Sequence, residues 1–147
     1  MVEYLALDPG ESTGYAMFKS DGDVEDFGTL KGRPALYEFL EHIVPSTVKV
    51  VVIEDYTLYP WKGKEQSWSK LDTVRYIGAI EFWAHKRLTQ VVFQPPNIKS
   101  IAYMWAGIKV PKNHDHSHQT DAYVHGVYYL QKQGIRKPQQ ARRDNEA

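Results

Sequence analysis

The sequence predicts an α/β domain: a mixed five-stranded sheet, antiparallel at its start and parallel later, with helices on both faces. Three observations carry this. Short apolar runs punctuated by turn residues open the chain, a continuous β-branched run stands near its middle, and segments of helical spacing alternate with the later runs. That order describes antiparallel hairpins feeding a parallel crossover within one sheet.

Each element has its own reason. YLALD (4–8) is a short apolar run, and TGYAMFK (13–19) and VEDFGTL (24–30) follow it after the turn-like DPGES and SDGD, so three strands form a meander. From Pro34, suited to a first helical turn, Leu36, Phe39, Leu40 and Ile43 recur at helical spacing, and Pro45 stands beyond the end. VKVVVI (48–53) is the run expected of a strand buried on both faces, and Glu54 closes it. A loop rich in aromatic residues and lysines spans Asp55 to Ser69. Beyond it Val74, Ile77, Ile80, Ala84 and Leu88 repeat every three or four residues, which predicts a long helix over Leu71 to Leu88. VVFQ (91–94) is the fifth strand. Pro95 and Pro96 break the chain before a helix over Ile98 to Trp105, and GIKVPKNHDHS (107–117) is a polar loop. The last helix starts near His118. Its apolar Ala122, Val124, Val127, Tyr128 and Leu130 cover much of the circumference, so it is expected to bury against the sheet. One domain is expected over 1–133, followed by a flexible charged tail over 134–147.

At 147 residues the chain suits one domain of about 100 to 200 residues. Its 42% hydrophobic and 24% charged residues form an ordinary globular mixture, without the depletion that marks disorder. Cysteine is absent, which excludes disulfides, thiolate metal sites and cysteine nucleophiles, so any metal must take oxygen or imidazole ligands. No run approaches the roughly 18 apolar residues of a membrane span, and Met1 to Asp8 lack a basic stretch leading into a longer apolar one. A cytoplasmic location and no membrane partner are expected.

Net charge is zero, but its distribution is lopsided. Residues 1 to 60 carry eleven acidic and four basic side chains, a balance of −7, whereas 61 to 147 carry seven and fourteen, a balance of +7. From Phe82 to His114 there is no carboxylate, while Lys86, Arg87, Lys99, Lys109 and Lys112 supply positive charge. Such a stretch suits contact with phosphates; it is equally what a solvated lysine face looks like.

Three carboxylates stand at the ends of elements. Asp8 follows YLAL and precedes Pro9-Gly10, where a strand gives way to a turn; an Asp there also satisfies turn N–H groups. Glu54 repeats the situation at the end of VKVVVI, and beside Asp8 it would meet a second anion. Two such anions raise each other's pKa unless a cation intervenes, for which a divalent ion with oxygen ligands or a Lys or Arg partner is the answer. Asp121 lies in the first turn of the last helix, where the helix dipole alone also favours an acid. His118 stands three residues earlier, on the same helical face, placed to help hold a metal or move a proton. His114, His116 and His118 alternate in HDHSHQTD, but without the helical spacing of zinc-protease ligands.

LALDPGESTGYAMF resembles the first catalytic strand and hairpin of RuvC-type Holliday-junction resolvases, in which a strand-end Asp-Pro-Gly is followed by Thr-Gly. VVVIEDY resembles the strand ending in that family's second carboxylate, and HQTDAYVHGVYYL its final helix; the three matches come in family order across nearly the whole chain. The resemblance implies a ribonuclease H-like fold, as in a compact phage-type member. It further implies that Asp8, Glu54, His118 and Asp121 are the catalytic and metal-holding residues, with a pair of Mg²⁺ ions, or Mn²⁺ in their place. FQPPNIKSI resembles the family's strand and Pro-x-x-x-Lys helix, which makes Lys99 a phosphate contact. Two departures stand out. The further lysine-bearing helix before the last one is replaced by the loop 107–117, where Lys109 and Lys112 are the substitutes. Thr57 occupies the place of an aromatic wedge, so Tyr56, Tyr59 and Trp61, with Lys62 and Lys64, are the candidates for stacking on bases and neutralising phosphates.

The implied activity is paired hydrolysis of four-way DNA junctions by a homodimer, joined through the helix Leu71 to Leu88. Alternatives are a related nuclease cutting flaps, other branched DNA or RNA–DNA hybrids, and a junction-binding protein without catalysis. An actin-like phosphate loop also begins Asp-x-Gly, but that fold requires a duplicated domain of far greater length.

Overall fold

The computed structural model describes residues 1–55, 68–109 and 117–138. Five strands form one sheet: β1 (Val2–Asp8), β2 (Ser12–Lys19), β3 (Val24–Lys31), β4 (Val50–Glu54) and β5 (Gln90–Gln94), in the order β3-β2-β1-β4-β5. β1, β2 and β3 pair antiparallel, and β4 runs parallel to both β1 and β5. Among the described residues four α-helices accompany them: α1 (Gly32–Glu38), α2 (Trp68–Arg87), α3 (Lys99–Ala106) and α4 (His118–Lys132).

Because successive strand side chains alternate between faces, the central strands divide the core in two. Leu5, Leu7, Met17, Val51 and Ile53 point to the layer of α1 and α2, where Leu36, Ile77, Ile80 and Trp83 meet them. Tyr4, Ala6, Ala16, Phe18, Val50 and Val52 point the other way, to Ala102, Tyr103, Val124, Val127 and Leu130 of α3 and α4. The mixed sheet covered on both faces is the one the sequence predicts.

The differences are local. Ile43, expected inside the first helix's apolar stripe, is 57% exposed. α1 widens into a π turn over Phe39–Ile43, closed by Val44 N–H donating to the Phe39 carbonyl at 2.9 Å. The wider turn delivers Val44 to the core in Ile43's place. Leu88, expected to end the α2 stripe, lies beyond that helix at φ 58° and is 93% exposed. It terminates α2: its N–H donates to the His85 carbonyl and that of Thr89 to the Ala84 carbonyl, the paired bonds of a left-handed helix cap.

Packing also runs past the boundary expected at 133. Arg136 is fully buried, donating to the Gly22 carbonyl at 2.8 Å and to the Tyr123 hydroxyl at 3.1 Å. This clamps the β2–β3 turn to the end of α4. The remainder of the expected tail, 139–147, lies outside the described residues.

Candidate active site

Strand alternation decides where the first two carboxylates point. Asp8 continues the series Tyr4-Ala6 and Glu54 the series Val50-Val52, so both emerge on the α3 and α4 side at the same end of the sheet. Leu7 pairs with Ile53, which makes Asp8 and Glu54 the next residues of adjacent parallel strands. The turn after Asp8 is held by the Thr13 hydroxyl, which donates to the Gly10 carbonyl at 3.1 Å.

α4 brings the rest. Ser117 caps it, accepting from the Thr120 N–H at 3.4 Å. Its first turn approaches β2 so closely at Gly14 that a Cβ there would stand 1.9 Å from the His118 carbonyl oxygen. A Cβ at Gly126 would meet the Phe18 ring at 2.3 Å. These contacts seat α4 against the sheet and place His118 and Asp121 beside the strand ends. Asp8, Glu54, His118 and Asp121 accordingly share one open cleft of about 300 Å³ with Lys99 and Thr73. A second, apolar depression among Tyr37, Leu40, Phe82 and Trp83 lies between α1 and α2, on the other face.

Charges inside the cleft are paired. The Lys99 ammonium stands 3.2 Å from Glu54 Oε1 and 3.4 Å from Asp121 Oδ2. Burial works against that ammonium, but Glu54, Asp121 and Asp8 outweigh it and hold its pKa above the ordinary lysine value. His118 Nδ1 lies 3.3 Å from Asp8 Oδ2, a contact that raises the imidazole's pKa. Burial pushes the Asp8 carboxyl up, with the Glu54 and Asp121 charges adding and His118 opposing. Glu54 behaves oppositely: burial disfavours its anion, but His125 and Lys99 prevail and hold it at about 2. The Tyr103 hydroxyl donates to Asp121 Oδ1, and burial and that bond raise the phenol's pKa.

A pH dependence follows. Glu54 titrates at about 2 in the fold against an ordinary 4.5, so its stabilisation is present above about 4.5 and lost as pH falls toward 2. Asp8 and His118, both raised, contribute below their ordinary values of 3.8 and 6.5 and lose that contribution as pH rises through their folded values. Urea unfolding with a chelator present should therefore show wild type and Glu54→Gln converging in stability below about pH 4.5. A gap that stays constant down to about pH 2 would show that Glu54 is not held by its cations.

Three carboxylates form the oxygen donor set of a hard divalent cation, with the His118 imidazole at their rim. Among the described residues no three acids and histidines yet ring a single point, and the Lys99 ammonium supplies the positive charge between Glu54 and Asp121. The residues fit such an ion in chemistry and charge.

Lys99, expected at a phosphate, lies half-buried among the carboxylates, and Lys109 is exposed beyond α3. Tyr56, Tyr59, Trp61, Lys62, Lys64 and Lys112 lie outside the described residues. Sequence reasoning missed His125, Gln94 and Tyr103. The signal was there: His125 follows Asp121 by four residues on α4, Tyr103 follows Lys99 by four on α3, and Gln94 ends β5 opposite Glu54.

No protein-family model matches the chain, and no curated protein matches its sequence. Solved structures do match. The fold is ribonuclease H-like, with its parallel and antiparallel strands in one five-stranded sheet between helices. One neighbour is T. thermophilus RuvC in complex with a Holliday junction substrate, at TM-score 0.64 and 17% identity, covering 92% of this chain and 97% of that one. Thermus thermophilus RuvC alone gives TM-score 0.59 and 16% identity, covering 92% and 98%. At these identities the likeness is one of fold.

Proposed function

We propose that the chain is a metal-dependent endonuclease that cuts four-way DNA junctions. The observation that carries this reading is the convergence of Asp8, Glu54 and Asp121, from two neighbouring strand ends and one helix, in a single open cleft. Support comes from the fold shared with T. thermophilus RuvC in complex with a Holliday junction substrate.

Hydrolysis of a phosphodiester needs a water nucleophile brought to an anionic phosphate and a stabilised leaving oxygen. Mg²⁺ or Mn²⁺ held by Asp8, Glu54 and Asp121 would supply both, by acidifying water and neutralising charge. Around it the protein's own groups have separate tasks. Tyr103 holds Asp121 by one oxygen and leaves the other toward Lys99. His118, half-exposed at the rim with Nδ1 3.3 Å from Asp8, is placed to hold or move a proton there. The Lys99 ammonium, 3.2 Å from Glu54 and 3.4 Å from Asp121, is placed to meet an entering phosphate. A two-fold dimer of such chains would present equivalent sites to the two equivalent strands of a symmetric junction.

The test is a gel. Purified protein with Mg²⁺ or Mn²⁺ is expected to nick synthetic four-way junctions in paired, ligatable positions. Equal or better cutting of flaps or RNA–DNA hybrids, without ligatable junction products, would replace the resolvase reading by another nuclease of the same fold.

A further inference from the structure

The family resemblance assigns no role to the imidazole of His125, which stands enclosed beside the cleft. It is fully buried on α4, one turn after Asp121. Its Nδ1 lies 2.8 Å from Gln94 Oε1, and its Nε2, 3.6 Å from Glu54 Oε2, makes no hydrogen bond among the described residues. Gln94, itself buried, is the residue that pairs with Glu54 across β4 and β5.

Hydrogen-bond chemistry limits what this trio can be. With the amide oxygen facing Nδ1, that nitrogen donates, and a neutral ring would then turn a lone pair on Nε2 toward the Glu54 carboxylate. Two acceptors facing each other in a water-poor pocket are repulsive. Two arrangements remove the conflict: a ring carrying both protons, or a reversed Gln94 amide whose NH₂ donates to Nδ1 while Nε2–H donates to Glu54. Both put the donor on Nε2.

We infer that His125, steadied by Gln94, is a positioning residue that fixes Glu54 by its Oε2 atom and so presents Oε1 to the cleft beside Lys99 and Asp121. Oxygen Oε1 is the one 3.2 Å from the Lys99 ammonium, the atom where a cation is already accommodated. A carboxylate tethered at one oxygen loses less rotational freedom when it takes an ion, and groups that orient metal-holding side chains in this way typically alter metal affinity by about 10- to 100-fold. The inference rests on the metal-binding part of the proposed function and not on the choice of DNA substrate.

Two amide substitutions separate positioning from mere packing. The amide nitrogen of glutamine reaches about as far as imidazole Nε2, and that of asparagine about as far as Nδ1. His125→Gln therefore keeps a donor for Glu54, whereas His125→Asn keeps only the Gln94 side. Both are titrated with Mn²⁺ by calorimetry, with thermal melts for folding and junction binding in a chelator as the control. His125→Asn is expected to bind Mn²⁺ about 10-fold or more weakly, and His125→Gln within about threefold of wild type, with junction binding unchanged in both. Equal Mn²⁺ affinities in the two folded variants overturn the positioning role. Should the asparagine variant not fold, Gln94→Leu decides: weakened Mn²⁺ binding supports the clamp, and wild-type affinity overturns it. A wild type that binds Mn²⁺ but cuts no junction removes the resolvase reading and leaves the clamp standing. A wild type that binds no Mn²⁺ overturns the metal centre and the clamp together.

Discussion

Asp8→Asn, Glu54→Gln and Asp121→Asn are each expected to lower junction cleavage by roughly a hundredfold to a thousandfold or more, while junction binding in a chelator stays near wild type. The asymmetry comes from geometry. All three carboxylates share one cleft, each substitution keeps the side chain's shape, and what is lost is a unit of negative charge where a divalent ion would sit. The single-turnover cleavage rate at saturating Mg²⁺ is the measurement. Full activity in folded Glu54→Gln would remove that residue from the chemistry and leave Asp8 and Asp121 on their own. Loss of binding alongside cleavage would mean that the carboxylates organise the DNA surface, not the reaction.

What the sequence shows of this arrangement, and what it hides, follows from the range of the forces involved. β1 and β4 were legible because near-continuous apolar runs bounded by turn residues report burial on both faces, and Asp8 and Glu54 stood out as charges ending those runs. Asp121 was legible as an acid in a helix otherwise apolar enough to be buried. The carboxylate partners of Lys99 were hidden for a different reason. The reach of Lys99 into the carboxylates depends on how α3 packs on α4, a relation among residues far apart in the chain that no local spacing encodes. His125 was hidden by its company: among Ala122, Tyr123, Val124 and Val127 a histidine reads as one more core residue until its two nitrogens are assigned partners. The π turn that exchanges Ile43 for Val44 was likewise invisible, since both residues are apolar and either satisfies a helical stripe.

Gly14→Ala is expected to be among the most damaging single substitutions in the chain, although it adds one methyl group to a strand remote in sequence from α4. The added Cβ would stand 1.9 Å from the His118 carbonyl oxygen, 2.1 Å from its carbon and 2.6 Å from the Gln119 nitrogen. All three are backbone atoms, so no rotamer change relieves the clash, and either β2 or the first turn of α4 must move. β2 is pinned by pairing on both sides, with Gly14 opposite Asp8 on one and Thr29 on the other. The helix end is the softer partner. Its displacement would carry His118 off Asp8 and draw Asp121 from Lys99 and Tyr103. Overpacking of this kind costs about 3 kcal/mol at the upper end of its usual range, which for a domain of this size lowers Tm by roughly 6 to 12 °C. Gly126→Ala, whose Cβ meets the Phe18 ring and not backbone, should cost less, because a side chain gives way more easily. Thermal melts of the two variants give the comparison, and Mn²⁺ titration of Gly14→Ala below its melting point reads the site directly. Folded Gly14→Ala with wild-type Tm and Mn²⁺ affinity would show that α4 does not depend on this approach for its seat. Weakened Mn²⁺ binding in a protein still folded would instead mark the Thr-Gly pair of the first hairpin as the feature that lets one helix deliver its acid to two strand ends.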